Sequence, residues 1–290
     1  MTMGETSKSD NSLMNATDKW FNRYEAVDTT EEGVFKGVTD RFNGITIDST
    51  AEQCEDAQFD GILSKSLNQW TEQKRRAIWF KVNRNQASWL PVLAKNDFYF
   101  HHARNEFVMM YKWLPKTEPS AVPPFAHTMV GVGALVINNQ NQVLVVSEKN
   151  ALITNSWKLP GGYLEMNENL VEAAIREVLE ETNIKTRFES VVSLRHAHGA
   201  AFGCSDLYIV MKLIPETEEI RKCDREIAKC TWMNLDEYMN HPNVHQTNRA
   251  FVQHYLDLKS NGMMIDWTDD THQVLKRKYN LFFPKKSPSL

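Results

Sequence analysis

The chain has 290 residues, 42% of them hydrophobic and 24% charged, enough apolar material for a core without disulfide or metal staples. Its 33 Lys and Arg stand against 37 Asp and Glu, a net charge of −4, which excludes a chain-wide basic field for nucleic acid or anionic membrane. The longest apolar run, Met129 to Ile137, has nine residues where a membrane span needs about twenty, and Cys54, Cys204, Cys223 and Cys230 show no C-x-x-C spacing, as suits a reducing compartment.

Residues 1–43 read as a flexible N-terminal segment, polar at first, with no apolar stretch of a secretory signal and no Arg before Arg23. The expected location is the cytoplasm, with mitochondria and nucleus left open. Residues 44–114 read as a small α/β domain. Gly44 to Asp48 is a short strand, and Ala51 to Arg75 a helix with Phe59, Ile62, Leu63, Leu67 and Trp70 at helical spacing. Arg76 to Val82 is a strand, and Gln86 to Lys95 a second helix, bent or ended near Pro91. Phe98 to Arg104 and Glu106 to Trp113 form a hairpin. Pro115, Pro119, Pro123 and Pro124 make 115–126 an extended linker and a domain boundary. Residues 127–260 form a second domain. Val130 to Ile137 is a buried strand, Asn138 to Asn141 a turn and Val143 to Val146 the returning strand of a hairpin. A Gly-rich loop, a helix, two or three strands and a helix from Thr247 to Lys259 follow. Residues 261–290 are a C-terminal extension whose Lys276, Arg277, Lys278, Lys285 and Lys286 read as a basic surface patch or solvated tail.

The chemistry concentrates between Leu159 and Ile184. Asn169, with Glu172 three residues on, is a helix-start arrangement. Val171, Ile175, Val178 and Thr182 then share one helix face, and Glu177, Glu180 and Glu181 share another. Three carboxylates at that spacing repel one another, and no Lys or Arg stands at a spacing that neutralises all three. A bound divalent cation removes the repulsion, and all-carboxylate ligation favours Mg²⁺ or Mn²⁺ over zinc. A Glu run alone is usually a solvated face. This one follows Pro160-Gly161-Gly162, a loop whose backbone can approach an anion closely. Glycines beside a carboxylate-bound cation are what a pyrophosphate site needs.

Gly162, five residues, Glu168, seven residues and then Arg176 through Ile184 is similar to the Nudix box, G-x5-E-x7-R-E-U-x-E-E-x-G-U with U aliphatic. Eight of nine specified positions agree, a coincidence on the order of one in a hundred thousand at ordinary residue frequencies. The departure is Asn183 in place of Gly, at a position expected to be left-handed, where Asn is the next best residue. The resemblance implies an α/β/α sandwich with a mixed sheet, metals on Glu177, Glu180 and Glu181, and Arg176 orienting them by salt bridge. It implies that Glu168 supports the loop or takes part in metal binding and that Gly161 or Gly162 adds a backbone carbonyl. It implies hydrolysis of a nucleoside diphosphate linked to another moiety.

The order of a first unit, a linker and the box resembles one Nudix subgroup, the animal motif 6 proteins and plant ADP-ribose/NADH pyrophosphatases. The resemblance spans roughly 45–260 and includes Phe100-His101-His102-Ala103 and Arg195-x-x-His198-x-x-x-Phe202-Gly203-x-Ser205-Asp206. It implies a half-acetyltransferase-like pre-Nudix domain; with no acetyl-CoA loop in evidence, its expected role is dimerisation, giving a homodimer, or regulation. It implies small nucleotides, ADP-ribose and NADH, as substrates, with no membrane or nucleic-acid partner. Gly161, Gly162, His198, Phe202, Gly203, Ser205 and Asp206 are then the expected substrate contacts, and Glu226 a possible base or extra ligand. His196 and His198, alternate on a strand, read as packing rather than as a metal pair. Another Nudix substrate, such as capped RNA or an oxidised nucleotide, and a regulatory Nudix fold without turnover are the competing readings.

Overall fold

A computed structural model describes residues 33–52, 54–151 and 153–287, which divide into one unit up to Ala126 and another from His127. In the first, β1 (Val38–Thr39), β2 (Ile45–Asp48), β3 (Ala77–Asn83), β4 (Tyr99–Ala103) and β5 (Phe107–Trp113) form a sheet of order β1-β2-β3-β5-β4. Helices α1 (Asp56–Glu72) and α2 (Trp89–Lys95) cover one face. Strand alternation decides the packing: Ile78, Phe80 and Val82 meet Phe59, Leu63, Trp70, Trp89 and Leu93 of the helices, while Ala77 and Trp79 face the other way.

Several features depart from what the sequence suggests. Of the segment 1–43, residues 1–32 lie outside the described residues, but Phe35 is buried in the core and β1 precedes Gly44. Pro91 neither bends nor ends its helix. It sits in the first turn of α2, where its missing N–H leaves no bond unmade. The Pro-rich segment has no regular structure, yet it lies against the second face of its own sheet. Val122 packs on the Trp79 cluster, the Trp113 indole donates to the Glu118 carbonyl at 3.2 Å, and Phe125 stacks on His102 at 4.6 Å. Of the basic C-terminal residues, Lys278, Lys285 and Lys286 stand in a strand rather than a solvated tail, while the reading as a basic surface patch is compatible with their placement. β12 (Met263–Thr271) and β13 (Lys278–Lys286) form a hairpin joined to the second sheet.

The second unit adds β6 (Thr128–Val136), β7 (Gln142–Glu148), β8 (Gly161–Tyr163), α3 (Leu170–Thr182), β9 (Thr186–Ala197), β10 (Ser205–Pro215), β11 (Ile227–Asn234), α4 (Leu235–Asn240) and α5 (Gln246–Ser260). The sheet order is β13-β12-β9-β10-β6-β8, with β10 parallel to β6 and the other pairs antiparallel, so it is mixed. β7 returns from β6 as expected but meets it only at the turn, where Ile137 and Val143 bridge antiparallel and the Asn138 N–H donates to the Gln142 carbonyl at 3.0 Å. The chain turns at Asn138, whose side chain accepts from the Gln140 and Gln142 N–H groups, and β7 then pairs with β11 in a separate two-stranded sheet. Val132, Ala134, Ile209 and Met211 pack against Val171, Ala174 and Val178 of α3. On the opposite face Leu135, Val192 and Val210 pack against Leu235, Tyr238, Phe251 and Val252 of α4 and α5. Helices on both faces of a mixed sheet make the α/β/α sandwich.

Candidate active site

The site is built where α3 lies against β8. Helix α3 starts at Asn169, whose side chain accepts from the Glu172 N–H at 2.9 Å, and ends at Asn183, which is left-handed at φ 64° and donates to the Leu179 carbonyl. These two ends and the apolar face fix the rotation of the helix, and rotation decides what each glutamate meets. Glu181 turns inward and is 5% exposed, Glu177 is mostly covered, and Glu180 is exposed.

Gly161 carries φ +150°, and a Cβ there would lie 2.1 Å from the Val132 carbonyl oxygen of β6, so no larger residue fits without moving a strand. Its N–H donates to Glu181 Oε2 at 3.0 Å. A Cβ on Gly162 would lie 2.6 Å from Glu177 Oε1, so the carboxylate rests directly on the glycine backbone. Gly161 and Gly162 thus lie in β8 rather than in the loop expected from the sequence, and their bare backbone makes room for the two glutamates.

Arg176 is a partner that spacing alone underrated. Its Nε and Nη2 grip Glu168 in a bidentate pair at 2.7 and 2.9 Å, and its Nη1 reaches Glu177 at 2.9 Å and Glu180 at 3.3 Å. It also donates to the Tyr163 carbonyl at 3.2 Å. One arginine therefore ties the loop to two of the three helix glutamates, and bonding to it holds Glu168 below the usual carboxylate range. Glu168 also accepts from the Glu165 N–H, closing the loop on itself.

Glu181 is outside that arginine's reach. Burial pushes it up to about 7, with Glu177 and Glu148 adding repulsion, while Lys158 and the Gly161 N–H act the other way. Burial also raises Glu177 against the pull of Arg176. Among the described residues, no three His, Cys, Asp or Glu side chains already converge as a metal would draw them. The donor set nevertheless fits a divalent cation. It is all oxygen, one carboxylate is buried and a second mostly covered, burial disfavours the charge of both, and the innermost has one backbone hydrogen bond. Glu177, Glu180 and Glu181 would hold it, with the Gly161 carbonyl beside them.

The expected substrate contacts lie at the junction of β9 and β10. Phe202 is 96% exposed in a short turn, Ala201–Gly203, with φ 58° and ψ 20°, an unusual conformation for a bulky side chain. His198 Nδ1 and Ser205 Oγ are 3.0 Å apart across the loop. Asp206 is buried and bonded to Arg195, whose guanidinium lies 5.1 Å over the half-buried Tyr208 ring. The rings of His196 and His198 meet edge to face at 4.6 Å. Glu226 is exposed on the loop before β11, and that loop returns to α3 through the Cys223 N–H, which donates to the Glu181 carbonyl. Lys158, Glu148 and Tyr208 lie outside the motif, and the place of Lys158 three residues before Gly161 is the one signal for it along the chain.

Comparisons to known proteins bear on the chain as a whole. A model described as NUDIX domain matches residues 127–255, and one described as Nudix hydrolase domain matches 35–114. Nudix hydrolase 2 of Arabidopsis thaliana is 33% identical over 251 residues, which cover 85% of this chain and 89% of that protein. The chain belongs to the Nudix hydrolase family. Nudix hydrolase 8 of the same plant is 35% identical over 74% of this chain, which spans 58% of that relative's length. Nucleoside diphosphate-linked moiety X motif 6 of Homo sapiens is 36% identical over 70% of this chain and 66% of its own. A solved NUDIX hydrolase from Nitrosomonas europaea is 25% identical, with 45% of this chain and 89% of that chain covered and a TM-score of 0.40. Nudix hydrolases are pyrophosphohydrolases of small nucleotides and generally use divalent metals.

Proposed function

We propose that this Nudix family member hydrolyses the pyrophosphate of ADP-ribose and NADH in a reaction that depends on Mg²⁺ or Mn²⁺. The products are AMP with ribose 5-phosphate or with reduced nicotinamide mononucleotide. The observation that carries this reading is the set of Glu177, Glu180 and Glu181 on α3 against the Gly161-Gly162 backbone, with all the box carboxylates present. A bound divalent cation supplies charge neutralisation at the pyrophosphate oxygens and a more acidic water.

The remaining work falls to the chain's own groups. Arg176 keeps Glu168, Glu177 and Glu180 at fixed bearings, so the negative field does not reorganise as charge develops on the leaving phosphate. The Gly161-Gly162 backbone lets the pyrophosphate approach without a side chain in the way. Glu226, exposed on the loop that returns to the end of α3, is the candidate to take the proton of the attacking water.

Both phosphates of the bond are similar leaving groups, so selection has to come from adenosine and the distal sugar. Phe202 offers an open ring for stacking on a base, and the His198–Ser205 pair offers hydrogen-bonding atoms for a ribose. The test is a panel of ADP-ribose, NADH, capped RNA and oxidised nucleotides incubated with Mg²⁺ or Mn²⁺, with products identified by mass. AMP from ADP-ribose and NADH supports the reading, and preferential release from capped RNA or an oxidised nucleotide replaces it. Hydrolysis is expected to stop in excess EDTA, and full turnover there would remove the metal-dependent mechanism.

A further inference from the structure

Lys158 brings to the site a cation that the box motif does not contain. Its backbone N–H and carbonyl both pair with Val146 of β7, at 2.9 and 3.0 Å, so the residue has a fixed origin. From there its ammonium forms an ion pair with Glu148 at the end of β7 and approaches the Gly161 carbonyl at 3.4 Å. Its field also acts on Glu181 and Glu177. Gly161 is therefore engaged on both sides, its N–H by Glu181 and its carbonyl by Lys158.

We propose that Lys158 sets the affinity of the site for its divalent cation: ammonium and metal compete for the Gly161 carbonyl and the charge of Glu181, and Glu148 draws the ammonium aside. The inference rests on the metal-dependent reading above. Two cations among the same carboxylates repel, so removing the ammonium strengthens the hold on metal. Removing the Glu148 charge lets the ammonium lean on Gly161 and weakens that hold. Lys158 is thus a positioning residue that trades metal affinity for a site already partly neutralised.

The test is Mn²⁺ binding to the substrate-free full chain, measured by calorimetry, with melting temperatures recorded for every variant. Lys158→Met is expected to tighten Mn²⁺ by roughly tenfold. Lys158→Gln, which removes the charge but can still donate to Gly161, should tighten it by less, and Lys158→Arg should stay within about twofold of wild type. Glu148→Gln should weaken binding several-fold, and should lose most of that effect in the Lys158→Met background. Wild-type Mn²⁺ binding with unchanged or weaker affinity in folded Lys158→Met and Lys158→Gln overturns the inference and leaves the metal site standing. An equal Glu148→Gln effect in both backgrounds overturns the role given to Glu148. A folded wild type that binds no Mn²⁺ overturns the metal reading itself.

Discussion

Glu181 and Glu180 are one residue apart on the same helix, and their environments make opposite predictions. Glu181 is buried and its folded pKa, about 7, lies above the ordinary 4.5. Its neutral form is favoured in the fold, so the stability it supplies is full below about pH 4.5 and is lost as pH rises through 7. In the presence of a chelator, Glu181→Gln should therefore raise the melting temperature at pH 8, by up to about 3 kcal/mol of stability, and change little at pH 4.5. An equal effect at both pH values would show that its burial carries no charge cost. Glu180 is exposed, with 61% of its side chain in solvent, so Glu180→Gln should leave melting unchanged and lower turnover by orders of magnitude. Unchanged turnover would reduce these glutamates to a solvated acidic face. Phe202 and Asp206 separate in the same way. Phe202→Ala should raise KM for ADP-ribose without lowering stability, because the ring touches solvent almost everywhere. Asp206→Asn should lower stability, because it takes a buried partner from Arg195. If Phe202→Ala leaves KM unchanged, the loop does not read the substrate.

At the scale of elements, the ends of α3 and the seat of β8 hold the glutamates in place. Asn183 is left-handed at the helix end, so Asn183→Gly should be neutral or slightly stabilising and Asn183→Val should cost about 1 kcal/mol or more. Equal melting temperatures for all three would mean that the helix end relaxes around the substitution. Gly161→Ala acts on the facing strand. The new methyl would collide with the Val132 carbonyl, so β8 must leave β6 and take the Glu181 hydrogen bond with it. A loss of about 2 kcal/mol or more is expected, together with most activity. Both helix-end signals and the Gly-Gly pair were legible in the sequence, because capping and left-handed positions depend on residues within one turn. The pairing of β7 was not. Val143 to Val146 are all buried, so they carry no alternation that distinguishes one partner strand from another.

At the scale of the molecule, each unit has its own core. Phe35 to Met110 close around α1 and α2, and Val132 to Val252 close around α3, α4 and α5, with no buried residue shared. Residues 127–290 alone are therefore expected to melt cooperatively and to keep metal-dependent hydrolysis. A soluble, folded fragment without hydrolysis, beside an active full chain, would assign part of the site to residues before 127.

The sequence by itself determined the local and the chemical: the periodic face of α3, its caps, the row of carboxylates on its other face and the family those residues belong to. Each is a property of neighbours along the chain, where spacing and side-chain type suffice. Only the tertiary structure decided which carboxylate is buried, which cation answers it and where the strands pair. Glu181 owes its raised pKa to the depth at which α3 docks on the sheet. Lys158 and Glu148 reach the site because β7 lies beside the loop, and Arg195 meets Asp206 across β9 and β10. Those are contacts between residues far apart in sequence, set by sheet register and helix docking, for which single-chain spacing holds no record.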